Sequence, residues 1–161
     1  MCNVCGKSAQ ATVHDIAGRV AGAERLLVLT HARPDGDALG SLAALIDSAR
    51  AAGKQARGFV PDSLPPKYDF LFPGDRPETR REQFEPLADD SDLVVIVDTA
   101  AFAQLDGLEE ALRQRRDKVV VIDHHATGDD VGALRWADTS AAAAGVMVLE
   151  LLEALDWAAT P

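Results

Sequence analysis

The sequence predicts one α/β domain on a mostly parallel β-sheet, and three observations carry that prediction. Continuous apolar runs recur at residues 26–30, 93–97 and 119–122. A strand that is apolar at every position is buried on both faces, as the central strands of a parallel sheet are. Segments of helical periodicity alternate with these runs, an order that right-handed crossovers turn into a parallel sheet. Finally, hydrophobic residues make up 47% of the chain but aromatics only 5%. That Ala-, Leu- and Val-rich composition suits helices packed on a sheet.

Taken in order, residues 1–9 read as a flexible leader. Its Cys2 and Cys5 form a lone Cys-x-x-Cys pair, half a zinc site with no second pair to complete it, so an exposed terminus is expected. Residues 10–23 carry Ala11, Val13, Ile16, Ala17 and Val20 at helical spacing, with His14 as a surface residue. The first strand, 26–30, leads through a turn into a helix over 38–52, which Gly53 closes. A strand follows at 55–60, and Pro61 to Pro66 breaks the chain. Residues 67–72 read as one helical turn ended by Pro73-Gly74-Asp75. The stretch 75–90 reads as charged and irregular, with a short strand or helix at 78–84. After the strand at 93–97 a helix is predicted over 105–116. Arg113, Arg115, Arg116 and Lys118 lie near its carboxyl end, where cations suit the helix dipole, and read as a solvated helix end. The strand at 119–122 precedes a loop at 128–132 and a short extended piece at 134–137. Asp138-Thr139-Ser140 then offers capping side chains to an Ala-rich helix that runs to about residue 155. No repeat, low-complexity tract or domain boundary interrupts residues 10–161, and 161 residues suffice for one such core.

The net charge of −10 argues against a basic track for duplex DNA. No apolar run has membrane-spanning length and no charged-then-apolar leader opens the chain, so a cytoplasmic protein without membrane association is expected.

The chemistry gathers where strands end. The first delivers His31, Asp35 and Asp37 into the turn that follows it; the run at 93–97 ends on Asp98; the run at 119–122 ends on Asp123, His124 and His125. In open α/β sheets, ligands bind beyond the carboxyl ends of the strands. Carboxylates crowded there repel one another unless something neutralises them, and a divalent cation does so. Imidazole with carboxylate and no thiolate suits Mn²⁺, and Mg²⁺, Fe²⁺ or Zn²⁺ less selectively. Two cations ~3.5–4 Å apart would clamp a phosphoryl group and lower the pKa of a bridging water. Gly36 lets the chain turn between Asp35 and Asp37. Gly40 and Ser41 are small enough for backbone or phosphate to approach the helix start. Taken singly, Asp-Gly-Asp also reads as a helix cap and Asp98 as uninformative; two adjacent histidines and an acid after a buried strand have little structural use.

The ordered set HxxPDGDALGS, VVIVDTA and VVVIDHH resembles motifs I to III of the DHH phosphoesterase superfamily, nearest its nanoRNase (oligoribonuclease–pAp phosphatase) branch. The resemblance covers residues 10–160 and implies a Rossmann-like, three-layer DHH domain that binds two Mn²⁺ ions, with Mg²⁺ or another divalent cation as substitutes. Carried over position by position, it implies that His31 and Asp35 hold one metal, Asp37 and His124 the other, and that Asp98 bridges them. His125 would contact the substrate phosphate, and Asp123 would orient the histidines. Members also carry a fourth motif with an Asp in an Asp-Thr-Gly-like stretch, and a carboxyl-terminal DHHA1 domain. This sequence contains neither, and Asp138 and Asp156 fit the fourth motif in neither position nor context. The chain is therefore expected to be the amino-terminal part of a longer protein.

The implied function is hydrolysis of short oligoribonucleotides, pAp or related nucleotides by metal-activated water. Pyrophosphatases and exopolyphosphatases of the superfamily share motifs I to III. From a different class, the missing fourth motif points to a metal- or nucleotide-binding fragment without turnover. Implied partners are a small nucleotide or short oligonucleotide and a second copy of the chain as a homodimer, through apolar surface left where the second domain would sit.

Overall fold

A computed structural model describes residues 8–159; Cys2 and Cys5 lie outside the described residues. Six strands, β1 (Ala9–Gln10), β2 (Arg25–Leu29), β3 (Gln55–Phe59), β4 (Leu93–Val97), β5 (Val119–Asp123) and β6 (Leu134–Ala137), form one sheet in the order β1-β6-β5-β4-β2-β3. Every pairing is parallel. Side chains alternate across a strand, and the sheet divides its apolar residues accordingly. Leu26, Val28, Val95, Val97, Val120 and Ile122 pack on one face beneath α1 (Val13–Gly22), α2 (Gly36–Ala51) and α5 (Ala144–Ala154). Leu27, Leu29, Val94, Ile96 and Val121 pack on the other against Phe84 and Ala88 of α3 (Phe84–Asp90) and Leu112 of α4 (Glu109–Gln114). The result is the three-layer α/β architecture that the strand pattern predicts, with β2, β4 and β5 buried at the centre. Among the described residues no helix is long and apolar enough to cross a membrane.

Several element boundaries differ from expectation, each for a local reason. Ser8 and Ala9, read as the end of a leader, are tied into the sheet. Ser8 donates to Asp130 and to the Gly132 carbonyl, and Ala9–Gln10 adds a strand to the β6 edge. Helix α1 consequently starts at Val13, where Thr12 and Asp15 form a reciprocal capping box. The predicted helix over 105–116 is cut short, because Asp106 and Gly107 both take positive φ. Those two residues turn the chain before α4 starts, and 3₁₀ turns flank α4 on both sides. Helix α3, read as irregular chain, is seven residues long and buries only Phe84 and Ala88, too few for a periodic signal.

The basic cluster is structural. Arg113 pairs with Glu109 and lies over the Phe102 ring, Arg115 pairs with Asp89 and Glu85, and Arg116 with Asp130. Lys118 Nζ donates to the carbonyls of Ala88 and Ser91.

Candidate metal centre

The strand order reverses at β2: β3 lies on one side of it and β4 on the other. That switch point is where an open α/β sheet forms its crevice, and the predicted residues converge on it. Two hydrogen bonds hold the strand ends together there. Thr30 Oγ1 donates to the Val97 carbonyl at 2.9 Å and Asp98 N to the Ile122 carbonyl at 2.9 Å.

Asp98 is the centre of the arrangement. Its side chain is 5% exposed, with His31 Nε2 3.5 Å from Oδ2 and His124 Nε2 3.4 Å from Oδ1. Donor atoms of His31, Asp35 and Asp98 form one group compact enough to hold a metal ion, and those of Asp98, His124 and His125 form a second. Asp98 belongs to both. Its Oδ1 is buried without a hydrogen-bond partner, and its backbone takes φ +64, the left-handed region that Asp and Asn tolerate better than most residues. A buried, unpartnered carboxylate oxygen is costly unless a cation satisfies it, so this donor set fits a divalent ion.

The flanking groups are pre-set. His31 Nδ1 lies 2.8 Å from the Ala32 carbonyl, which leaves Nε2 facing Asp98. The Asp98 carboxylate raises the His31 pKa above its ordinary value, against the opposing effect of burial. Asp35 caps α2, its Oδ1 accepting from the amides of Asp37 and Ala38 at 3.0 Å each. Cap and candidate ligand are thus the same side chain. Asp123 is fully buried and ends β5; its Oδ1 lies 2.6 Å from His125 Nδ1. Its Oδ2 accepts from Arg135 Nη2 at 3.1 Å. A concavity of about 420 Å³ shares only Arg135 with this constellation and holds none of the clustered donors.

Asp37 has a second role beside its place near His124. It lies 3.9 Å from His124 but outside both compact groups. Its two oxygens accept from the first amides of α5, Ala144 N at 2.8 Å and Gly145 N at 2.9 Å. The predicted caps, Asp138 and Ser140, instead bond each other in a turn, and α5 starts several residues later than read. A carboxylate at a helix amino terminus satisfies orphan amides and complements the dipole. Asp37→Ala is therefore expected to cost about 1 kcal/mol in the metal-free protein, a fall of about 2–4 °C in Tm. Thermal melts in the presence of a chelator measure it, and an unchanged Tm would show that the cap contributes nothing.

Fold and site together define a class: a parallel α/β domain whose strand ends at the switch point bring aspartates and histidines into two donor groups with one carboxylate in common. The family described as "DHH family, N-terminal domain" matches residues 25–160, and the chain belongs to the DHH family. It is 31% identical over 128 residues to the bifunctional oligoribonuclease and PAP phosphatase NrnA of Bacillus subtilis (strain 168), covering 80% of this chain and 38% of that protein. The chain thus spans well under half the length of that relative. An exopolyphosphatase-related protein from Bacteroides fragilis superposes with a TM-score of 0.79 at 19% identity, over 89% of this chain and 43% of its own. RecJ from Thermus thermophilus, in complex with Mn²⁺, superposes with a TM-score of 0.57 at 21% identity, over 91% and 22%. These two likenesses concern the fold.

Proposed function

We propose that this domain is that of a metal-dependent nucleotide phosphoesterase that acts on short oligoribonucleotides, pAp or related nucleotides with two Mn²⁺ ions. One observation carries the reading: a single buried carboxylate, Asp98, belongs to two donor groups and keeps an oxygen without a hydrogen-bond partner. The sequence relation to NrnA supports the substrate class, and the acidic net charge favours a small anion drawn in by cations over a polymer held in a basic groove.

His31 and Asp35 would hold one ion, His124 and Asp37 the other, and Asp98 both. Bound divalent ions supply Lewis acidity, neutralising charge on the phosphoryl oxygens and lowering the pKa of a water. The chain's own residues prepare the rest. The Ala32 carbonyl fixes the His31 tautomer, the α2 cap fixes Asp35, and Asp123 orients His125, whose exposed ring would contact the phosphate as charge develops.

A second reading, a one-ion binding module without turnover, has one observation behind it: both oxygens of Asp37 are engaged by α5. Metal stoichiometry, measured together with hydrolysis of diadenylate and pAp with and without Mn²⁺, separates the two. Two ions with Mn²⁺-dependent AMP release support the phosphoesterase; one ion without release supports the module.

A further inference from the structure

We propose that Arg135 is a positioning residue of this site: it fixes Asp123 and the turn beyond it, and so sets the orientation and tautomer of the His125 ring. The kinetic consequence rests on the phosphoesterase reading; the structural one does not.

The guanidinium has few other tasks. Arg135 stands on β6 in register with Val121 of β5, and its side chain is 15% exposed. Its Nη2 is shared among Asp123 Oδ2 at 3.1 Å, the His125 carbonyl at 3.0 Å and the Thr127 carbonyl at 3.3 Å. Its Nε is buried without a partner, so the placement is not one that maximises the arginine's own hydrogen bonding. Three of the groups that fix the turn after β5 thus meet at one nitrogen. The opposite oxygen of Asp123 accepts from the His125 amide at 3.2 Å and faces His125 Nδ1 at 2.6 Å. Each carboxylate oxygen therefore has one assignment, arginine on one side and histidine on the other. Gly128 closes the turn over the guanidinium, since a Cβ there would fall 2.6 Å from the Ala100 Cβ and 2.8 Å from Arg135 Nη1.

Two consequences follow from general chemistry. A fully buried carboxylate needs a compensating charge to keep one rotamer, and Arg135 supplies it. With Nδ1–H donated to that carboxylate, the ring holds the tautomer that leaves Nε2 directed away from Asp123. A free imidazole favours the other tautomer, so losing the anchor should be visible on the ring itself. Lysine keeps the charge, but its ammonium ends one bond short of the Nη2 position and so meets the carboxylate and the two carbonyls less well from the same place on β6.

The test is ¹⁵N NMR of the His125 ring in the metal-free full chain, with Arg135→Gln and Arg135→Lys, alongside Mn²⁺ titration and steady-state kinetics. The unaltered protein is expected to show an Nδ1–H ring and Arg135→Gln a tautomer mixture. Its kcat should fall about 10-fold or more while KM and Mn²⁺ affinity stay within about twofold. Arg135→Lys, which keeps the charge, should give an intermediate ring pattern. A folded Arg135→Gln with the parental ring pattern overturns the proposal. Should that variant not fold, an Arg135→Lys with parental ring pattern and kcat overturns it equally. An unaltered chain without phosphoesterase activity would defeat the functional reading, while the ring spectra still decide the role of Arg135.

Discussion

Asn in place of Asp98 is expected to abolish cooperative metal loading and to lower any phosphoesterase activity by about 10³-fold or more, because several kcal/mol of charge stabilisation depend on the ions. The substitution keeps the side-chain shape and tolerates the positive φ of the site, so the backbone should hold. Ala would add strain of about 1–2 kcal/mol in the left-handed region and confuse two effects. In Asp98→Asn the metal-free melting temperature should stay close to the parent's. What should disappear is the rise in Tm on adding Mn²⁺, which for a site at 100-fold excess over Kd corresponds to about 2.7 kcal/mol. Calorimetric titration and melts with and without Mn²⁺ measure both. Full activity in Asp98→Asn would mean that the shared carboxylate is not the heart of the site.

His125→Ala is expected to behave in the opposite way. The imidazole is 53% exposed and tied to Asp123, so its removal should leave the fold and the metal affinity largely unchanged. Turnover should fall by about 10²-fold, the usual loss when one group that stabilises transition-state charge is deleted. Because donor atoms of His125, His124 and Asp98 also form one compact group, the affinity measurement is decisive. A tenfold loss of Mn²⁺ affinity would make His125 a ligand rather than a phosphate contact.

What the sequence reveals about this site follows from how local each signal is. Buried central strands are legible because an apolar residue at every position, as in Leu93–Val97, has few other uses. The residues placed at their ends are legible for the same reason, since the strand fixes where the turn begins. Asp37 is legible as a residue of the turn after β2 but not as the cap of α5, because its partners there are Ala144 and Gly145, more than a hundred residues away. No local rule connects them, so the sequence pattern points to Asp138 and Ser140 as the helix start instead. Arg135 escapes sequence reasoning altogether. A lone arginine in the weakly apolar strand Leu134–Ala137 reads as a surface residue, and only the sheet order that places β6 beside β5 brings it to Asp123. The shortened α4 is a smaller case, in which Asp106 and Gly107 interrupt an otherwise persuasive helical spacing.

If Asp37 holds an ion as proposed, its clasp on α5 makes the opening of that helix a ligand-linked equilibrium. An ion that draws on the Asp37 oxygens takes electron density from the bonds to Ala144 and Gly145, and linkage requires the influence to run equally in reverse. Any factor by which Mn²⁺ speeds amide exchange at those two positions is the factor by which fraying of the helix start strengthens Mn²⁺ binding. A partner that pulled on α5 would therefore adjust the ion's affinity without approaching the crevice.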